Sequence, residues 1–280
     1  MPEKKALLAG RVISNREIGM GNRVMAIRLP RALGEPLPGQ FVMLRPKERG
    51  ERLLGRPFSV YDFQPGRGSA TLGILFRVAG EGTRALSLLR RGDEMEILGP
   101  LGRPFDLSRR RGNIVLVAGG IGIAPIRFLM EHLKKIPVEE RPGISLYAGA
   151  KTAGELIGLE GLEPFCRDVH VCTDDCSRGS QGLVTEPLEK DLASFPADDT
   201  AIYACGPVGM IRELARLLRH HPVPCQVSLE ERMACGVGAC LGCAVAVRGP
   251  DGARQYRRVC SEGPVFDIRD ILWDAESVKA

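Results

Sequence analysis

The sequence predicts a multidomain β plus α/β protein: an N-terminal β-barrel, a central domain on a parallel sheet, and a small C-terminal segment organised by cysteine. Three observations predict it. Short apolar segments punctuated by Gly and Pro run from about residue 6 to 106, strand-like apolar runs then alternate with helical stretches, and four of the nine cysteines fall between 235 and 260.

The barrel is assigned to residues 1–107. Segments such as 23–29, 40–44 and 71–76 are short, apolar and bounded by turn residues, the pattern of many short strands closing on one another. Residues 108–222 follow a different rhythm. Four buried-looking runs, 114–118, 144–148, 169–173 and 201–204, are separated by helical stretches, the clearest starting near Pro125 and Val208, which is a βαβ pattern with a parallel sheet. Residues 223–280 carry the cysteine group and too few apolar residues for a full core. A metal centre would supply what packing does not.

At 280 residues the chain is long enough to bury a core without disulfides. Hydrophobic content of 44% and charged content of 26% exclude a disordered chain. The net charge of +5 is spread along the sequence, with Arg109, Arg110 and Arg111 the one short basic run, so neither nucleic acid nor a membrane surface is indicated as a partner. The N-terminus lacks the apolar stretch of a signal peptide, and the longest apolar run, 114–126, is too short and glycine-rich to span a bilayer. The expected compartment is the cytoplasm, where cysteines stay reduced and clustered ones point to metal.

Cys235, Cys240 and Cys243 form C-x4-C-x2-C, and Cys260 follows as a distant fourth thiolate, the spacing of a plant-type 2Fe-2S centre. Gly236, Gly238 and Gly242 lie among the first three, so the loop can wrap a cluster tightly and aim backbone N–H groups at its sulfurs. Structural zinc is the alternative, but it usually takes two short knuckles, and none surrounds Cys260. Cys166, Cys172, Cys176 and Cys225 have no ligand spacing and read as small apolar fillers. His132, His170, His220 and His221 suggest neither a triad nor a metal set.

Two further groups suit nucleotides. The run 115–118 leads into Gly119, Gly120, Gly122 and Pro125, a strand, a glycine turn and a proline fit for a first helical turn, where a dinucleotide pyrophosphate finds close backbone approach. The order is not the full G-x-G-x-x-G fingerprint. Cys205, Gly206 and Pro207 end a later strand at the same sheet edge, and Asp174 beside Asp175 follows the third strand, where a carboxylate can bind a ribose hydroxyl and favour NAD; a solvated turn is the plain alternative. In the barrel half, Arg56, Pro57, Phe58 and Ser59 combine a guanidinium fit for phosphate with a nearby hydroxyl. Arg77 with Gly82 and Thr83 offers a second phosphate cradle.

In this order the motifs R-P-x-S, G-x-G-T, G-G-x-G-x-x-P and C-G-P resemble the ferredoxin-reductase superfamily, over nearly the whole chain. The C-terminal E-x-R-M-A-C-G-x-G-A-C-x-x-C is similar specifically to the electron-transfer subunits of NAD-dependent, type B dihydroorotate dehydrogenases. The resemblance implies an FAD-binding barrel, an NAD-binding parallel-sheet domain and a 2Fe-2S domain. It implies that Arg56, Pro57, Phe58 and Ser59 hold FAD, with Leu75, Phe76, Arg77, Gly82 and Thr83 completing that site. It further implies that the 119–125 turn, Cys205, Gly206 and Pro207 seat NAD, Cys205 lying near the hydride path. Phe58 stands where many members have tyrosine, and Cys176 stands where glycine is expected.

A flavin must lie between a two-electron nicotinamide and a one-electron cluster, and no part of the chain is left for an organic substrate. The resemblance therefore implies a partner, an FMN-containing dihydroorotate dehydrogenase catalytic subunit serving pyrimidine biosynthesis, as a heterotetramer of two of each. A subunit of a ferredoxin:NAD(P) or sulfide-type oxidoreductase is the nearest alternative; such relatives tend to carry aspartate at the first cluster position, where this chain has Cys235. A nucleotide- or zinc-binding assembly protein without turnover is the alternative of another class.

Overall fold

The computed structural model describes residues 6–30, 34–47, 54–109 and 111–273; Arg110 of the basic run and the first five residues lie outside them. Six strands form a closed barrel: β1 (Ala6–Gly19), β2 (Asn22–Pro30), β3 (Phe41–Pro46), β4 (Arg56–Pro65), β5 (Ser69–Arg77) and, after the short helix α1 (Glu81–Ser87), β6 (Glu94–Leu101). Around the barrel they run β1-β2-β5-β4-β3-β6, every neighbouring pair antiparallel. Closure removes exposed edges. Inward side chains such as Met25, Ile27, Leu72, Ile74, Met95 and Ile97 are fully buried and fill it.

The chain then enters a second sheet built from β7 (Asn113–Gly119), β8 (Gly143–Ala150), β9 (Asp168–Thr173), the two-residue β10 (Ser180–Gln181) and β11 (Thr200–Cys205), with helices α2 (Ile123–Leu133), α3 (Thr185–Asp191) and α4 (Val208–Leu217) between them. The helix expected near Pro125 starts two residues earlier, directly after a single 3-10 turn over Gly120–Gly122, so Pro125 sits in its first turn where no N–H is needed. Successive residues of β7 and β11 alternate between two apolar clusters. Ile114, Leu116, Ala201 and Tyr203 pack on the α2 side, while Val115, Val117, Ile202 and Ala204 pack on the side of α3 and α4. Burial on both faces is what makes these strands continuous apolar runs.

The sheet does not stop at Pro222. β12 (Cys225–Ser228) pairs parallel with β11, and after β13 (Ala244–Arg248), β14 (Arg254–Arg258) and the four-residue α5 (Val259–Glu262), β15 (Val265–Asp267) adds an antiparallel edge to β12. The order is β10-β9-β8-β7-β11-β12-β15, while β13 and β14 form a separate hairpin. Thus the sheet assigned to 108–222 borrows two strands from 223–280. The shortage of apolar residues in that last segment has a physical answer: Cys243, Val245, Val247, Val259 and Cys260 are buried in the same cluster as Ile202, Leu214 and Val227, and share it with Phe41, Met43 and Leu101 of the barrel.

Helix α2 is wedged between sheet and barrel. Its Phe128 enters the barrel core, and Arg127 lies 5.4 Å from the Tyr61 ring of β4 while donating to the carbonyls of Gly158 and Glu160. Among the described residues no helix is long and apolar enough to cross a membrane.

Candidate functional site

Strand order reverses between β7 and β11, so the carboxyl ends of these two strands flank a crevice, the place where open α/β sheets bind ligands. The glycine turn after β7 and the C-G-P turn after β11 are packed backbone to backbone. A β-carbon on Gly122 would stand 2.3 Å from the Cys205 carbonyl oxygen, and one on Gly119 would stand 2.7 Å from both Pro207 Cδ and Met210 Sδ. Only glycine allows the two turns to close on each other. Gly119, Gly120, Gly206 and Pro207 line a cleft of about 670 Å³, whose rim holds Asp174, Lys151 and Glu213. Pro125 is buried in α2 and serves the turn from behind.

Cys205 does not line that cleft. The alternation along β11 turns its side chain toward α2, and it is completely buried. Burial pushes its thiol well up, and Glu230 adds to this while a hydrogen bond with Ser228 opposes it. Since Ser228 and Glu230 both face the neighbouring barrel-side cleft, Cys205 lies one layer beneath the surface that a nicotinamide would meet.

That neighbouring cleft, about 270 Å³, opens where the first half of β4 meets the end of β5. Pro57, Phe58, Ser59, Leu75, Phe76 and Arg77 line it from the barrel, Ile121 and Ala124 from the start of α2, and the segment 228–233 with Pro264 from the other side. Phe58 packs edge-to-face on Phe76 at 5.8 Å, so the position carries an aromatic wall without a hydroxyl. Arg56 reaches over α1: a β-carbon on Gly82 would stand 2.7 Å from its Nε. Thr83 Oγ1 accepts from the N–H groups of Ala79 and Gly80 at 2.9 and 3.1 Å and fixes that turn. The guanidinium, the small glycine and the apolar slot fit a flavin dinucleotide with its pyrophosphate at Arg56.

Arg77 and Ile121 line both clefts, and Arg77 donates to Glu155 across the gap at 2.7 Å. A third opening of about 700 Å³ joins Arg56 and Pro57 to Gly206, Val208, Arg232 and Met233. Glu230 faces all three spaces. Its side chain is exposed in the open cleft, yet the walls crowded around it desolvate the carboxyl and raise it above the usual range. Glu230 and Met233 stand in the motif that leads into Cys235, but nothing in their spacing assigns them to a cleft, and Leu229 and Pro264 carry no sequence signal at all.

The cysteine loop follows directly on Met233. Gly236, Gly238 and Leu241 are left-handed, with φ of 69°, 87° and 60°. The N–H of Val237 donates to Cys235 Sγ at 3.4 Å and that of Cys260 to Cys243 Sγ at 3.4 Å. Burial works against a thiolate at Cys235, but the N–H groups of Val237, Cys240 and Ala239 and the Cys240 thiol outweigh it and bring the group down to about 6. Burial and the Cys243 thiol together push Cys260 up to about 12. Cys240 thus acts on Cys235 and Cys243 on Cys260, so the thiols fall into two neighbouring pairs. Two thiolates per iron are what a 2Fe-2S cluster takes, and the N–H groups of Val237 and Cys260 already point at two of the sulfurs. The residues present fit the cluster.

Outside these sites, Cys172 and Cys225 are buried and Cys166 is half-buried, as fillers should be. Cys176 is not a filler: it is exposed, on a turn with φ of 60°, a conformation that suits the glycine expected there. His170 stacks on Tyr147, whose hydroxyl donates to Asp191, far from any ligand set. Trp273 is half-buried against the shared core and donates to the Ile268 carbonyl at 3.3 Å.

Comparison with known proteins finds the same three cofactor domains in the same order. The sequence matches family models described as an oxidoreductase FAD-binding domain over residues 9–105, an oxidoreductase NAD-binding domain over 116–216, and the iron-sulfur cluster binding domain of dihydroorotate dehydrogenase B over 230–272. The dihydroorotate dehydrogenase B (NAD(+)) electron transfer subunit of Caldanaerobacter subterraneus is 38% identical over 266 residues, covering 95% of this chain and 98% of that protein. Its counterpart from Desulforamulus reducens is 38% identical over 238 residues, covering 85% and 87%. Among solved structures, that of the NADH-dependent reduced ferredoxin-NADP oxidoreductase superposes with a TM-score of 0.80 at 31% identity, covering 98% of this chain and 92% of that one.

Proposed function

The chain belongs to the family of dihydroorotate dehydrogenase B (NAD(+)) electron transfer subunits, and from that premise we propose that it passes electrons between a dihydroorotate dehydrogenase catalytic subunit and NAD through a 2Fe-2S cluster and FAD. Bound FAD supplies the exchange between two-electron hydride chemistry and one-electron transfer.

The observation that carries this reading is that the clefts adjoin. The cleft at the glycine turns of the α/β sheet and the barrel slot share Arg77, Ile121 and Glu230 as common wall, and the wall of the slot includes Met233, two residues before Cys235 of the cysteine loop. On the nicotinamide side, Gly119, Gly120, Gly206 and Pro207 present backbone with no side chain in the way, and Asp174 at the rim offers a carboxylate to an adenosine ribose. In the barrel, Arg56 beside Gly82 would hold the flavin pyrophosphate, with Thr83 fixing the turn that presents Gly82, while Pro57 to Ser59 and Leu75 to Arg77 would hold the ring. Cys205 supports the floor of that contact from beneath. The residues toward the cluster are Cys235, Cys240, Cys243 and Cys260.

The cluster loop also supports a partner. Cys240 is exposed, and Val237 and Leu241 beside it are 45% and 63% exposed, an apolar tip at a ligand cysteine. The partner we assign there is an FMN-containing catalytic subunit that oxidises dihydroorotate, in a complex of two subunits of each kind, serving pyrimidine biosynthesis. A second reading, a subunit of a ferredoxin-linked nicotinamide oxidoreductase, is favoured by the 31% identical structure alone.

Anaerobic purification with the catalytic subunit tests both. The expected complex contains FAD, FMN and about two irons per copy of this chain, and reduces NAD with dihydroorotate. A colourless protein, or a stable active complex formed with a ferredoxin instead, would falsify the proposal.

A further inference from the structure

We infer that Met43 is a positioning residue that sets the separation between the flavin slot and the cysteine cluster. It lies on β3 and lines none of the clefts, yet it touches the walls of both sites. This rests on the reading that FAD and a 2Fe-2S cluster are resident.

The contacts are asymmetric and close. In the barrel wall Met43 is paired across the strands with Pro57 on one side and with Leu98 on the other. A β-carbon on Gly55, just ahead of Arg56, would stand 3.5 Å from Met43 Cβ and 3.6 Å from its Cε. On the cluster side, a β-carbon on Gly236 would stand 2.6 Å from Met43 Cγ and 3.1 Å from its Sδ. Gly236 immediately follows the ligand Cys235 and is left-handed, so both its φ and its contact with Met43 demand glycine. Met43 is 5% exposed and belongs to the one apolar cluster that holds barrel residues together with Cys243 and Cys260.

The thioether chain therefore fills the gap between the strand pair that shapes the flavin slot and the backbone of the cluster loop. A close-packed interior passes displacement from neighbour to neighbour, and methionine suits an irregular gap because it is unbranched and polarisable. Electron tunnelling weakens steeply as a gap widens or loosens. Truncating this side chain lets the cluster loop settle in a new place relative to the flavin while leaving the ligands of both cofactors untouched.

The test uses the anaerobically purified holoprotein as wild type, M43A, M43L and M95A. Met95 is equally interior but lies in the barrel core, away from the cysteine loop. After mixing with NADH, the delay between flavin bleaching and cluster bleaching is followed, together with the electron paramagnetic resonance spectrum of the reduced cluster and the iron content. M43A is expected to keep flavin and iron, lengthen the delay about tenfold and alter the spectrum. M43L is expected to restore both, and M95A to lower thermal stability without changing either. A wild-type delay in M43A, or an equal lengthening in M95A, overturns the inference. Should M43A shed its iron, M43V must show a partial lengthening, or the inference fails. Wild-type protein lacking flavin and iron sinks the underlying reading instead.

Discussion

Glycines at this site differ in what they protect, and the difference is measurable. The missing β-carbon of Gly122 makes room for the Cys205 carbonyl, 2.3 Å from where it would lie, so Gly122→Ala sets backbone against backbone. A loss of about 2–4 kcal/mol in stability is expected, with weaker NADH binding, by thermal unfolding and NADH titration. Gly82 faces only the movable end of Arg56. Gly82→Ala should leave stability within about 0.5 kcal/mol while weakening FAD retention, and equal damage from the two substitutions would contradict this. Glu230 gives a pH signature. Desolvation raises its folded-state value, so its neutral form stabilises the fold below the ordinary glutamate range, and that stability is lost as pH rises through the raised value. Glu230→Gln should therefore melt about 1–3 °C above wild type at neutral pH, the gap closing on acidification. A gap that stays constant with pH would rule out titration at Glu230 as its source.

Single elements meet across the cleft with little energy between them. Arg77 at the end of β5 pairs with Glu155 in the turn after β8, but the arginine side chain is 48% exposed, so the pair stabilises by about 0–1 kcal/mol. Both residues line the nucleotide cleft. Glu155→Gln removes a carboxylate facing an anionic dinucleotide and frees a guanidinium for it. NADH binding should tighten about two- to fivefold with a change in melting of about 2 °C or less; weaker binding by isothermal titration would mean that the pair holds the cleft in shape instead. The hairpin of β13 and β14 shows another economy of elements. It grows directly out of Cys243 and returns to Cys260, so two of the proposed cluster ligands are anchored by one strand pair.

At the scale of the molecule, the last segment is structural as well as redox-active. β12 completes the parallel sheet beside β11, and Val227, Val245 and Val259 are wholly buried in the core that also holds Ile202 and Leu214. A chain cut after Pro222 would expose the open edge of β11 and that apolar face. It is expected to be recovered insoluble or aggregated, whereas the full chain is expected in the soluble fraction after centrifugation. A soluble, monomeric truncated chain would mean that the sheet closes without β12 and β15. Continuity of the core also explains how one chain keeps three ligand sites in register: barrel, sheet and cysteine loop share side chains instead of meeting through linkers.

The sequence by itself determined what is local. Period-two apolar segments made the barrel strands legible, continuous apolar runs marked β7, β8, β9 and β11, and the spacing of Cys235, Cys240 and Cys243 signalled a cluster, because each depends on neighbours only a few residues apart. The glycine turn and C-G-P were legible as types, while their mutual packing was not. Tertiary structure decided which way Cys205 points, through the parity of β11, and it brought Glu230 and Met233 to the cleft although neither sits in a nucleotide motif. It also carried β12 and β15 back into the earlier sheet, and set Met43 against Gly236. Those contacts join residues distant in sequence, and no local periodicity encodes them; they follow from three modules closing around one shared core.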